Sequence, residues 1–389
     1  MITFEEAAAL VTGAAFPLSV ETTGLTQCLG RVLAADVFAD MDMPPFDKSA
    51  VDGFACRRLD MFKPLRILET IAAGKVPVSE IGPGECARIM TGAMLPKGAD
   101  IVLMVEYTET ESGFVRFTGS QSAVNICFTA EDIHRNDKVL IAGTRIKPQH
   151  VAVLASVGCH SPVVYRNPVI GVISTGNELV EPDQQALAGQ IRNSNGWQLM
   201  AQIQNAGCTA QYFGIADDSP EGTLEKITAA ESSCDIILLS GGVSMGDYDY
   251  VPMVIEKAGF KTLFHNIAVQ PGKPTVFAVK DHTYLFGLPG NPASAFVQFE
   301  VLIRLLTDKI TCCTEPQPLI RLPLGIDYRR RKADRKSFLP VKIKFNEVFP
   351  VEYHGSAHIH AYVEADGIMA VNIGETEILK GTLVDVRQL

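Results

Sequence analysis

Ile236-Ile237-Leu238-Leu239-Ser240-Gly241-Gly242-Val243-Ser244-Met245-Gly246 joins an unbroken apolar run to a glycine-bearing loop, and that junction decides the fold. A strand that is apolar at every position, instead of every second one, is covered on both faces, as strands of parallel sheets are. Two more stretches repeat the design. Residues 169–174 run into Thr175-Gly176-Asn177-Glu178, and residues 284–288 run into Pro289-Gly290-Asn291-Pro292. Parallel strands deliver their C-terminal loops to one edge of the sheet, the edge where open α/β sheets bind ligands. Glycine lets backbone N–H groups approach a phosphate, and the N-terminus of the following helix adds a favourable dipole. Three such loops, with Glu178 and Asp249 beside them, point to one anion-binding site.

Helical patterns separate these runs. Helices are expected near residues 195–206, 220–232, 250–258 and 292–311, the first and third closed by Gly207 and Gly259. In the last, Asn291 is placed to cap and Pro292 to occupy the first turn. The succession predicts a three-layer α/β/α domain on a mostly parallel sheet. Upstream, Thr3 and Glu6 have capping-box spacing before an Ala-rich helix that reaches about residue 15. A second helix is expected over 25–35, and a third over 147–157, ending at Gly158. Between them, residues 46–133 hold short β-type stretches at 66–71, 86–90, 101–107 and 114–117, which read as a small β domain. Past Cys313, a proline-bearing linker precedes strands expected at 319–322, 338–343, 357–362, 368–371 and 383–386, a small β-barrel or sandwich.

Composition narrows the function. Of 389 residues, 47% are apolar and 20% charged, enough to bury sizeable cores. The net charge of −10 argues against broad nucleic-acid or anionic-membrane binding, so an anionic ligand needs a local basic pocket. The first residues, Met1 to Glu6, are acidic where a signal peptide is basic, and no apolar run is long enough to span a bilayer. Nine scattered cysteines without Cys-x-x-Cys spacing are expected to be reduced thiols in a cytoplasmic protein.

Several blocks stand out along the chain: Pro44 to Ala55 (Pro-Pro-Phe-Asp-Lys-Ser-Ala-Val-Asp-Gly-Phe-Ala), Met90-Thr91-Gly92-Ala93, Glu131-Asp132-Ile133, Ser174 to Leu179, Ser240 to Gly246 with Asp249-Tyr250, Pro271-Gly272-Lys273-Pro274, Leu288 to Pro292, and Gly355-Ser356-Ala357-His358. Together they resemble the molybdopterin molybdenumtransferases of the MoeA type, which include the C-terminal domain of gephyrin. The blocks run almost the length of the chain in family order. The resemblance implies insertion of molybdenum from molybdate into adenylylated molybdopterin, with Mg²⁺ and release of AMP. It implies an elongated homodimer whose cleft is shared between subunits. The domain plan expected is an elongated discontinuous N-terminal domain (1–45 and 134–168), an inserted β domain (46–133), a molybdopterin-binding α/β domain (169–313) and a C-terminal β-barrel (314–389). The preceding adenylyltransferase of the pathway and recipient molybdoenzymes are the further partners it suggests.

Read as residues alone, Glu178 and Asp249 are either hard oxygen ligands for a divalent cation or carboxylates favoured at helix N-termini. Asp52-Gly53 and Thr91-Gly92 read as turns, and Asp132 as a cap or loop carboxylate. The resemblance assigns Glu178 and Asp249 to the metal and sends Asp52, Thr91 and Asp132 into the partner's cleft. Lys273, held between two prolines, suits an oxyanion, with Lys280 a second candidate. Thr175, Gly241, Gly242, Ser244, Gly290, Asn291, Pro292 and Ser356 are expected to shape or donate to the phosphate site. Arg335, within the basic run 329–336, is carried over as a substrate contact, although such a run also suits a solvated strand edge. His358 and His360 are expected to share one strand face. Lys48, Cys127, Ala130, Gln270 and Pro340 stand where the family often has other residues, three of them basic, which bears on substrate affinity. Two other readings fit the same motifs: a molybdopterin adenylyltransferase, and a pterin-binding scaffold or sensor without turnover.

Overall fold

A computed structural model describes residues 1–217, 219–243, 251–315 and 317–389. The chain forms two units, one of residues 36–142 with 148–162, the other of residues 1–35, 143–147 and 163–389.

The apolar runs at 169–175, 236–240 and 283–288 become neighbours in the larger unit. In chain order its α/β elements are β1 (Val169–Thr175), β2 (Leu179–Val180), β3 (Ile191–Arg192), α1 (Ser194–Asn205), β4 (Thr209–Ala216), α2 (Pro220–Glu231), β5 (Ile236–Ser240), α3 (Val251–Lys257), β6 (Lys261–His265), β7 (Val276–Lys280), β8 (Thr283–Leu288), α4 (Pro292–Gln298) and α5 (Arg304–Ile310). The six-stranded sheet has the order β4-β1-β5-β8-β7-β6. The first four strands are parallel, with Ser174 beside Ser240 and Ser240 beside Leu288, so three strand exits lie level. The other edge is antiparallel, because β7 turns straight into β8 through Asp281 and His282.

Alternate residues of β5 face opposite ways, and both faces are covered. Ile236 and Leu238 pack with Leu199 and Ile203 of α1 and with Phe299 and Leu302. Ile237 and Leu239 pack with Ile227 and Ala230 of α2 and with Val254 and Ile255 of α3. That double coverage is why the run is apolar without interruption. The helix expected over 292–311 is present in three pieces, since a π-helical segment, Phe299–Ile303, joins α4 to α5. The extra residue accompanies a buried Glu300, whose Oε1 accepts from Gln202 Nε2 at 2.8 Å.

Residues 25–35 are not helical. Gly30 takes φ +79°, and the backbone bonds sideways, with Gly30 N donating to Ile146 O (2.8 Å) and Leu33 N to Thr144 O (3.0 Å). Those cross-chain bonds take the groups an i→i−4 ladder would have used.

The C-terminal segment builds a sheet in the order Val269–Gln270, Lys336–Lys344, Gly367–Val371, Leu383–Gln388, Leu319–Pro323, with Glu347–Pro350 added on Lys336–Lys344. Its first strand comes from the α/β segment and pairs in parallel, Val269 with Lys336. Residues 357–362 are not a strand. Ile359–Tyr362 is a 3₁₀ turn, so His358 and His360 share no strand face; the ring of His358 stacks instead on His354, 5.0 Å between centroids.

In the smaller unit, Gly53–Cys56 sits between Ile101–Met104 and Glu85–Ile89, followed outward by Leu65–Ile71, Phe114–Phe117 and Thr108–Glu111. Phe54, Cys56 and Leu103 fill one face and Ala55, Ile89 and Val102 the other. All nine cysteines are thiols, and no helix among the described residues is long and apolar enough to cross a membrane.

Candidate functional site

The three level strand exits enclose a cavity of about 500 Å³ in the larger unit. β1 contributes Thr175, Gly176 and Glu178; β5 contributes Ser240, Gly241 and Gly242; the turn from β8 into α4 contributes Gly290, Asn291 and Pro292. A fourth wall comes from β3 and the start of α1, through Ile191, Arg192, Asn193, Ser194 and Asn195.

Hydrogen bonds hold these loops to one another. Asn195 Nδ2 donates to Ser240 Oγ (2.9 Å) and to Gly290 O (2.8 Å), so one buried amide pins two strand exits. Its Oδ1 is buried with no partner among the described residues. Asn193 caps α1, accepting from Gly196 N and Ser174 Oγ, both at 3.1 Å, and donating to Tyr212 Oη at 2.7 Å. Tyr212 in turn donates to Glu181 Oε1 at 2.5 Å; burial first, then that carboxylate, push the phenol well above its ordinary range. Thr175 Oγ1 donates to Ser240 O at 3.4 Å. Gly241 lies at φ +109°, where a β-carbon would come within 2.4 Å of Thr175 O. Only glycine fits there, and its N–H donates to Leu288 O at 3.0 Å, which fixes the loop to the neighbouring strand exit.

Asn291 stands at the N-cap position of α4, but its side chain makes no capping bond. Nδ2 donates instead to Ser356 Oγ at 2.7 Å, while Ala293 N donates to Ser356 O at 3.1 Å. Ser356 therefore ties the C-terminal segment to the α4 turn, and its neighbour Ala357 reaches the cavity wall.

Glu178 is exposed and folds back over Gly176, where a β-carbon would lie 2.6 Å from Glu178 Oε2. Ser244 and Asp249, with the rest of 244–250, lie outside the described residues. The lining mixes apolar side chains (Leu179, Ile191, Ala357) with polar groups, and the polar ones described are oxygen and nitrogen with no cysteine or histidine, a hard donor set that suits Mg²⁺ and not a thiolate-seeking metal. Among the described residues no three His, Cys, Asp or Glu side chains cluster as a metal site.

Lys273 and Arg335 do not line this cavity. Lys273 is exposed in a tight turn, in which Thr275 Oγ1 donates to Gly272 O at 2.7 Å. Arg335 lies 3.8 Å from Asp334. Lys280 is engaged structurally, with Nζ 2.5 Å from Glu231 Oε1 and donating to Ala258 O at 3.1 Å.

In the smaller unit Asp52 and Thr91 meet. Thr91 N and Oγ1 each donate to Asp52 Oδ1 at 2.7 Å, and these bonds hold the exposed carboxyl below the ordinary aspartate range. Asp132 is exposed, its N–H donating to Met43 O at 3.0 Å.

Sequence reasoning did not single out Arg192, Asn193 or Asn195. They follow a polar stretch with no apolar period, and only the capping preference of asparagine marked that place.

A cavity of this size over three level strand exits lies where open α/β sheets bind small-molecule ligands. Residues 2–158 match the family described as MoeA N-terminal region (domain I and II), 171–308 the probable molybdopterin binding domain, and 321–389 the MoeA C-terminal region (domain IV). A molybdopterin molybdenumtransferase of Bacillus subtilis is 39% identical over 296 residues, 73% of this chain and 69% of that protein. One of Staphylococcus epidermidis is 33% identical over 375 residues, 93% of this chain and 89% of that one. The molybdopterin biosynthesis MoeA protein of Pyrococcus horikoshii superposes over 100% of both chains with a TM-score of 0.87 at 26% identity. The chain belongs to the MoeA family.

Proposed function

We propose that this chain is a molybdopterin molybdenumtransferase: it takes adenylylated molybdopterin and molybdate, inserts the metal into the dithiolene, and releases AMP. The observation that carries the reading is the cavity itself, where three level strand exits bring Gly176, Gly242 and Gly290 round one space, the place where open α/β sheets take their ligands. Here the dithiolene sulfurs supply the ligands for molybdenum, so no protein thiol is needed. The protein's part is to hold the phosphate and molybdate oxygens in place and to screen charge as the phosphoanhydride breaks. Glu178, with Asp249, would hold Mg²⁺, which neutralises phosphate charge when bound. Thr175, Gly241, Gly242, Ser244, Gly290, Asn291 and Pro292 shape the phosphate site. Lys273, Arg335 and Ser356 lie off the cavity walls and, in this reading, meet parts of the substrate that extend past it.

The finer plan goes with it: a cytoplasmic homodimer in which Asp52, Thr91 and Asp132 serve the partner's cleft. Its subunit has the elongated 1–45 and 134–168 domain, the inserted 46–133 domain, the 169–313 domain and a C-terminal barrel. The exposed Asp52–Thr91 pair supports this, since a carboxylate already charged by two donors is ready for a cation or a donor group.

The test is AMP release from adenylylated molybdopterin with Mg²⁺ while molybdate is titrated. Release that rises and saturates with molybdate is expected. Tight pterin binding without release would replace the transferase by a sensor or scaffold.

A further inference from the structure

The cavity described above takes an anion in a chain of net charge −10, yet Lys273, Lys280 and Arg335 are not on its walls. One cation is. Among the described residues, Arg192 is the sole lysine or arginine lining it.

Its backbone is held on both sides. Ile191 N donates to Glu178 O at 2.7 Å, Asn193 N donates to Val180 O at 2.8 Å, and α1 starts at the next residue. Its side chain is not committed to the fold in the same way. Arg192 is exposed, its hydrogen bond is a long one from Nε to Gln184 O at 3.4 Å, and it forms no ion pair among the described residues. Other arginines among the described residues are committed to a carboxylate, as Arg166 is to Asp235 and Arg145 to Asp308. A guanidinium left unpaired on a fixed backbone, in a concave wall, has its planar fork available for a tetrahedral oxyanion.

We propose that Arg192 is a substrate-binding residue, the guanidinium that recognises the phosphate of the adenylyl half of the substrate from the β3 wall. The identity of that substrate rests on the function proposed above; the phosphate contact itself does not.

The probe is AMP, with adenosine as its phosphate-free counterpart, titrated calorimetrically into the purified protein. Arg192→Gln is expected to weaken AMP at least ~10-fold while leaving adenosine unchanged, the loss of a charge-assisted pair. Arg192→Lys should recover part of the affinity, because the charge remains and the fork does not. Added salt should weaken AMP binding less in Arg192→Gln than in the wild type. A structural role would instead lower AMP and adenosine affinity alike, together with the melting temperature. Equal AMP affinity in wild type and Arg192→Gln, or parallel losses of AMP and adenosine, would overturn the proposal.

Steady-state turnover separates this from the function. If molybdate-dependent AMP release is seen and Arg192→Gln leaves KM unchanged, the Arg192 contact fails and the transferase stands. If AMP binding depends on Arg192 but no molybdate-dependent release occurs, the transferase fails and the phosphate site stands.

Discussion

Asn195 shows how one side chain can set a site it does not serve chemically. Its amide bridges the ends of two strands, so Asn195→Ala removes both bonds and leaves Ser240 Oγ and Gly290 O short of a donor. A loss of about 1–3 kcal/mol in urea unfolding is expected, together with weaker AMP binding; an unchanged denaturation midpoint would show that the bridge is idle. Gly241→Ala sets a β-carbon against Thr175 O and should cost at least ~1 kcal/mol with collapse of AMP binding. Asp52 offers a test in acid. The Thr91 donors hold its folded value below the unfolded one, so its stabilising contribution is complete above the ordinary aspartate range and fades as pH falls through the lowered value. Resonances that follow Asp52 in a pH titration should move to a higher midpoint in Thr91→Ala, which keeps the backbone donor and loses the hydroxyl; coincident curves would rule out the hydroxyl bond as a cause.

At the scale of the element, β1, β5 and β8 were legible because every residue is covered. Helices α1 and α3 were legible with their closing glycines, and α2 from the proline at its start. The hairpin from β7 to β8 was not, because its two-residue turn is Asp281-His282, with Asp281 at φ +49° and no glycine to announce it. Residues 25–35 read as helix by composition, but backbone partners at 144–146 lie too far along the chain for local propensity to register. His358 and His360 alternate like a strand, yet Gly355 and the bonds from Ser356 to α4 turn the chain there. Packing makes its own prediction. Ile237 is fully buried between sheet and helices, so Ile237→Ala should cost about 2–5 kcal/mol, whereas Leu319→Ala on an exposed edge should stay within ~0.5 kcal/mol. Thermal melts that rank the two the other way would contradict the layer assignment.

For the whole molecule, the thiols report on folding. Burial first of all pushes Cys56 and Cys86 up to about 12, and Cys208 and Cys234 are also buried. At pH 8 these four should resist a thiol reagent until the chain opens, whereas the partly exposed Cys127 and Cys313 should react in the native state. Cys56 and Cys86 belong to one unit and Cys208 and Cys234 to the other, so mass-resolved labelling in rising urea shows which unit opens first. Uniform labelling of all four in native buffer would contradict the burial pattern. At this scale, the family and three loops of the site could be read from motifs in order. The cation on the fourth wall could not, since a lone arginine after a polar stretch carries no pattern.

The short strand Val269–Gln270 leaves the α/β segment, pairs with Lys336 and Ser337, and the chain then returns to build β7. Its consequence concerns inheritance. A recombination event that swapped the stretch after residue 313 for that of a relative would carry away five strands of the C-terminal sheet and leave the sixth behind. The two segments must then change in concert, and a chimera cut at that seam should be rescued by bringing residues 269–270 from the same donor as the C-terminal stretch.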